Sequence, residues 1–178
     1  MTREIIIAGF GGQGVMAMGK TLIEAGLAEG FEVSWVPSYG PEMRGGTANC
    51  SVVISTEPIG SPVVTQPTEL IAMNGPSLAR FERSVEPGGL ILINSSQVEK
   101  PACRADVRCH LIPSMEEAGR LGNFKVANMV MLGAYIKATG ALKLETIEKM
   151  LASVFYGPKA HLVELNVRAL QAGAAYVG

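Results

Sequence analysis

Residues 5–21, IIIAGFGGQGVMAMGKT, hold two overlapping patterns that bind phosphate in other settings. Gly9, Gly11 and Gly14 spell G-x-G-x-x-G, the turn from strand to helix that receives a dinucleotide pyrophosphate. Gly14, Gly19, Lys20 and Thr21 spell G-x-x-x-x-G-K-[ST], the P-loop. One backbone cannot serve both in their standard geometries. The P-loop needs four loop residues directly after a strand, with amides facing phosphate. Here those four are Val15–Met18, which have helical apolar spacing, and Gly14 lies five residues beyond Gly9. A Walker-B strand would end in Asp, and LILIN ends in Asn94. The P-loop match is read as chance. The dinucleotide pattern fits better, because a helix N-terminus there aims free amides and partial positive charge at an anion. Standard NAD binding is not expected, since no acid closes the next strand, SWVPS. The loop either holds an anion or serves only to pack helix on sheet.

A second glycine loop, PSYGPEMRGG (37–46), gathers Tyr39, Glu42, Arg44 and Gly45 in ten residues. It follows the second expected strand, so it falls at the strand ends where open α/β sheets bind ligands. Arg44 could clamp a carboxylate or phosphate through two parallel hydrogen bonds. Pairing with Glu42, to hold the loop, is the equal alternative. The two histidines stand apart: His110 falls in an expected strand and His161 opens a helix, neither beside a motif. No catalytic dyad is read.

The elements that position these loops follow from apolar periodicity. EIIIAG (4–9) reads as a strand covered on both faces. Val15, Met18, Leu22 and Ala25 mark a helix from about Gln13 to Glu29, ended by Gly30. FEVSWVP (31–37) completes a βαβ unit, so the two strands are expected parallel. TANCSVVIS (47–55) follows with no helix between and is expected antiparallel or at an edge. Residues 56–69 carry three prolines and read as irregular. Strands are expected at 70–74, 90–96 and 106–113, with a helix over 76–85. The rest is helical. Ser114 and Glu117 form a capping-box pattern. The segment 126–136 is apolar all round and should be buried between layers. The last helix has two stripes, Leu162, Leu165, Ala169 and Val163, Val167, Leu170. The expectation is one α/β domain over 1–178, an open, mostly parallel, Rossmann-like sheet with helices on both faces and a helical C-terminal third.

The net charge of −1 gives no reason for nucleic acid or an anionic membrane. Charged residues are 17% of the chain against about 25% in typical soluble domains, which suggests apolar surface hidden in a partner. The most apolar window, 126–136, is far short of the roughly 20 residues that span a bilayer. The N-terminus reads as a strand, not a signal peptide. Cys50, Cys103 and Cys109 form no C-x-x-C, and their odd number suggests free thiols in a reducing cytoplasm.

GFGGQGVMAMGKTLIEAG, VPSYGPEMRGGTANCSVVIS, IGSP, NMVMLGA and ELNVRAL, in that order, closely resemble the gamma subunit of 2-oxoacid:ferredoxin oxidoreductases, a family that includes pyruvate/ketoisovalerate oxidoreductase gamma subunits. The form PEMRGGTANC looks more like the 2-oxoglutarate or branched-chain type than the pyruvate type. The resemblance implies a multi-subunit enzyme that oxidatively decarboxylates a 2-oxoacid to an acyl-CoA, with the 2-oxoglutarate type expected. It implies thiamine diphosphate and iron–sulfur clusters on alpha and beta partners or a ferredoxin-like delta subunit, and none on this chain. It associates CoA with this chain, and the matching positions are Gly9, Gly11, Gly12, Gln13 and Gly14 in the first loop and Tyr39, Glu42, Arg44 and Gly45 in the second. No residue is expected to be catalytic or to bind metal. The isolated chain is expected to be inactive, cytoplasmic and able to form a homodimer. An indolepyruvate or pyruvate oxidoreductase subunit, or a stand-alone nucleotide-binding α/β protein, are the alternatives.

Overall fold

Why residues 5–8 are apolar without a break is plain from their surroundings in the computed structural model, which describes residues 1–39, 46–99 and 104–178. Ile5 and Ile7 enter one hydrophobic cluster and Ile6 and Ala8 the other, on opposite faces of the sheet. The six strands are β1 Thr2–Phe10, β2 Glu32–Tyr39, β3 Thr47–Ser55, β4 Glu69–Ala72, β5 Leu90–Asn94 and β6 Arg108–Ile112. The helices are α1 Val15–Ala28, α2 Gly75–Phe81, α3 Ser114–Arg120, α4 Ala127–Thr139, α5 Leu144–Val154 and α6 His161–Ala175. The strand order is β2-β3-β1-β4-β5-β6. Only β3 runs against the others, so the sheet is mixed but mostly parallel, as expected.

The βαβ reading needs one correction. β1 and β2 do point the same way, but β3 lies between them, pairing Ile5 with Val52 on one side and Trp35 with Val52 on the other. β3 is therefore antiparallel but internal, and β2 takes the edge. The segment joining β2 to β3 is too short for a crossover, so β3 must return beside β2. α1 packs across β3 and β2 on small residues: a Cβ on Gly19 would sit 2.6 Å from Cys50 Sγ, and one on Gly26 2.8 Å from Val33. Gly30, at φ 85°, closes α1, and Phe31 N bonds back to Gly26 O.

α2 covers part of one face, capped by Asn74 Oδ1 accepting from Ser77 N at 2.9 Å. The other face carries the helical C-terminal third. α4 is buried from Ala127 to Ile136, lying between sheet and α6 as its all-round apolarity requires. The α4–α6 crossing brings backbones into contact. A Cβ on Gly133 would lie 1.9 Å from Leu170 O, and one on Gly173 1.8 Å from Val130 O. The buried seam of α6 is Asn166, Ala169, Leu170 and Gly173, which takes Ala169 and Leu170 from the two expected stripes and leaves Leu162, Val163, Leu165 and Val167 half-buried.

Two further expectations are corrected. Ser114 does not cap α3: Pro113 holds the N-cap position, and the buried Ser114 hydroxyl has no partner. The helix starts one residue too early for the capping box, and Ser96 Oγ accepts the Met115 amide instead, at 3.0 Å. Cys50 is free and buried, but Cys109 is disulfide-bonded, so the chain does not carry three free thiols. An odd count guarantees only that one is left over.

Candidate functional site

The first glycine loop turns at the C-terminal end of β1. Gln13 N bonds to Phe10 O at 3.2 Å, closing the turn. Gly12 (φ 93°) and Gly14 (φ 76°) adopt the left-handed conformation that favours glycine. Gly14 is the N-cap of α1 and offers no side chain, and the first turn of α1 holds no acid. The end of this helix is therefore left to the backbone, with its positive pole unneutralised. Gly9 is a packing position: a Cβ there would meet Gln13 Oε1, Met73 and Val15, all within 2.9 Å.

Side-chain amides bracket the neighbouring strand ends. Gln13 Oε1 accepts from Phe10 N at 2.7 Å and from Asn74 Nδ2 at 3.0 Å, while Gln13 Nε2 donates to Met73 O at 3.3 Å. Asn94 Nδ2 donates to the same Met73 carbonyl at 3.1 Å, and Asn94 Oδ1 accepts from Ser96 N. One strap of carboxamides thus joins the ends of β1, β4 and β5. Ser96 extends it to α3, where its hydroxyl bonds Glu116 and holds that carboxyl below the ordinary glutamate range.

Beyond the strap lies a cleft of about 270 Å³. Gly12 and Gln13 form one wall, Met73, Met115, Phe124 and Ala127 give apolar surface, and Gln97, Asn128 and Lys125 supply polar groups. Asn128, at the start of α4, faces Gly14. Its Oδ1 accepts from Met129 N at 2.9 Å, and its Nδ2 lies 3.5 Å from Gly14 O. The cleft combines apolar walls with few polar groups at the sheet's C-terminal edge, the usual anatomy of a small-molecule site in this architecture.

Of the expected site residues, Gly9, Gly11, Gly12, Gln13 and Gly14 form this loop, and Gly12 and Gln13 reach the cleft. Tyr39 is the last residue of β2 and pairs with Ala48. Glu42, Arg44 and Gly45 lie outside the described residues. Gly11 N donates to Gly46 O at 3.0 Å, so the end of the second loop meets the first. Sequence reasoning missed Asn74 and Asn94, lone carboxamides outside the quoted motifs, and gave no role to Asn128, which opens the NMVMLGA segment. A signal was present in Asn74: Asn followed by Gly-Pro-Ser is an N-cap with proline in the first turn. The P-loop residues do other work. Gly19 packs on Cys50, Lys20 is exposed and pairs with Glu24 at 3.8 Å, and Thr21 Oγ1 bonds back to Ala17 O. Cys50 is driven up to about 11 by burial, so it is a thiol near neutral pH. Among the described residues no three His, Cys, Asp or Glu side chains are grouped to hold a metal ion. Among them, too, no helix is long and apolar enough to cross a membrane.

Comparison with known proteins gives this geometry a family. The family model described as pyruvate ferredoxin/flavodoxin oxidoreductase matches residues 4–176. The ketoisovalerate oxidoreductase subunit VorA of Methanothermobacter thermautotrophicus is 44% identical over 97% of this chain and 36% of its own length. The chain therefore spans about a third of that relative. The 2-oxoglutarate synthase subunit KorC of Methanothermobacter marburgensis is 35% identical over 97% of this chain and 95% of its own. The solved gamma subunit of a keto/oxoacid ferredoxin oxidoreductase from Geobacter sulfurreducens superposes with a TM-score of 0.82, at 30% identity and 98% coverage of both chains. The chain belongs to the pyruvate ferredoxin/flavodoxin oxidoreductase family, in the gamma-subunit form that its glycine loops resemble.

Proposed function

We propose that the chain is the gamma component of a cytoplasmic 2-oxoacid:ferredoxin oxidoreductase and presents CoA to an acyl group formed elsewhere in the complex. Thiamine diphosphate and iron–sulfur clusters belong, on this reading, to alpha and beta partners and a ferredoxin-like subunit. The carrying observation is the cleft beside Gly12, Gln13 and Asn128, which lies at the sheet edge next to the uncapped start of α1. For the substrate class, 44% identity to a ketoisovalerate oxidoreductase subunit against 35% to a 2-oxoglutarate synthase subunit favours a branched-chain 2-oxoacid over 2-oxoglutarate. The test is co-expression with candidate thiamine-binding alpha and beta chains from the same source, followed by assay with CoA and a viologen acceptor. The expected result is co-purification, CoA-dependent oxidation of 2-oxoisovalerate ahead of 2-oxoglutarate and pyruvate, and no turnover by this chain alone. A chain that ignores those partners, or that oxidises a 2-oxoacid unaided, would overturn the proposal.

A further inference from the structure

We propose that the outer face of α1, with the groove between α1 and the end of α5, is where a second copy of this chain docks. Ala17, Lys20, Glu24 and Leu27 follow one another at spacings of three, four and three residues. That is the seam spacing by which two helices pack side by side. Ala17, Lys20 and Leu27 are exposed and Glu24 is half-buried, so the seam faces outward. Leu27 keeps 60% of its surface in solvent, while Leu22 on the inner side of the same helix is fully buried.

Charge complementarity names the occupant. Lys20 Nζ stands 3.8 Å from Glu24 Oε1 within the chain, with both side chains open to solvent. Lysine precedes glutamate, the poorer order for such a helical pair, so little is lost when the charges find other partners. The pair Lys20 and Glu24 and the pair Ala17 and Leu27 are both centred on residue 22. A two-fold axis beside that residue, with the helices antiparallel, sets Lys20 of each copy against Glu24 of the other and bulky Leu27 against small Ala17. One face thus supplies both halves of two ion pairs and two apolar layers. A parallel arrangement would set lysine on lysine and glutamate on glutamate, so the charges reject it.

The groove receives the apolar ends of the seam. Leu27 of the second copy, arriving at Ala17, meets a hollow of about 190 Å³ walled by Met150, Val154 and Phe155. That volume is below the roughly 300–1,000 Å³ of small-molecule sites and suits an inserted side chain. Met150 is half-buried and unbranched, so it can repack around what enters. Val154 is 52% exposed, and Tyr156, which follows Phe155, is 76% exposed, so apolar surface continues past the groove. Thr21, on the α1 side, already donates its hydroxyl to Ala17 O at 2.8 Å, so covering it strands no donor. Lys20 and Thr21, which imitate a P-loop in sequence, serve association on this reading.

The experiment is sedimentation of the full chain across a range of concentrations, for the wild type, Leu27→Asp, Lys20→Glu and Glu24→Lys. The substituted side chains all reach solvent, so the fold is retained, which circular dichroism checks. The wild type should dimerise reversibly. Leu27→Asp should weaken the dimer by about tenfold or more, because it carries a charge into an apolar groove. Lys20→Glu and Glu24→Lys each set like charges against one another at both pairs and should weaken it comparably. Mixed in equal amounts, these two variants should associate with each other, since each supplies the charge the other lacks, and salt should loosen the mixed dimer. A wild type that is monomeric at every concentration overturns the proposal. A dimer that persists in all three variants uses another face, and a mixture that stays monomeric shows that Lys20 and Glu24 do not meet; either result also overturns it. If the wild type is monomeric and Leu27→Asp no longer co-purifies with the alpha and beta chains, the face belongs to a partner of another kind and the second copy is ruled out.

Discussion

Gln13, marked by its motif as a site residue and standing in the wall of the cleft, also holds the loop together with both ends of its side chain. Both of its polar ends are occupied, by Phe10 N and Asn74 Nδ2 at the oxygen and by Met73 O at the nitrogen. Gln13→Ala strands the Phe10 amide and one Asn74 donor in a half-buried place, so thermal unfolding should report a loss of about 1–3 kcal/mol. Gln13→Glu is the sharper test. A carboxylate can still accept both amides, but its second oxygen would face the Met73 carbonyl with no proton between. Its stability should be no better than that of the alanine variant at pH 7, and should recover as the new carboxyl is protonated at acid pH. A glutamate variant as stable as wild type at pH 7 would mean that the Met73 bond carries nothing. None of these three bonds was legible in the sequence. The motif marks Gln13 as special, but which neighbours it binds depends on β4 ending beside β1, a long-range fact.

Among the elements, the helices and strands were legible because periodicity and glycine are local signals. The insertion of β3 between β1 and β2 was not, because sequence does not say which gap a returning strand will fill. The failed capping box at Ser114 is the same lesson in small: the residue types were right, but the chain enters α3 with Ser96 already placed against the Met115 amide. The α4–α6 crossing was half legible. The all-apolar run predicted a buried α4, but the glycines that permit backbone contact are spaced within two separate helices. Gly133→Ala must force α4 from α6, since its Cβ would lie 1.9 Å from Leu170 O. A loss of about 1–3 kcal/mol or more is expected in urea unfolding. Gly173→Ala opens the same crossing from the other side, so the double variant should lose less than the sum of the two. Full additivity would show that the two contacts relax independently.

Across the whole molecule, the candidate site and a charged clasp sit at opposite edges of one sheet, with α4 running between them. Asn128 starts α4 against Gly14, and the Thr139 carbonyl at its end accepts from Arg3 Nη2 at 2.8 Å. Arg3 Nη1 also bonds Glu69 Oε1 at 2.7 Å, and Thr68 Oγ1 donates to the other oxygen. Burial pushes the Glu69 carboxyl above its ordinary 4.5, opposed by the Thr68 hydroxyl and the Arg3 charge. A carboxyl that holds its proton more tightly when folded favours the fold fully below about 4.5, and that contribution is lost as pH rises through the folded value. In the wild type Arg3 limits this loss. Arg3→Met removes the counter-charge and raises the Glu69 value further, so the penalty should grow between pH 5 and pH 8. Breaking a buried pair costs about 3–5 kcal/mol, and the lower end applies because the Arg3 side chain keeps 19% of its surface in solvent. Arg3→Met with Glu69→Leu removes both charges and should recover most of the stability while flattening the pH dependence. Urea unfolding of the three proteins at pH 5 and pH 8 separates the cases. If Arg3→Met loses the same stability at both values, the charge of Glu69 is not what Arg3 offsets, and the clasp acts through its bond to the end of α4.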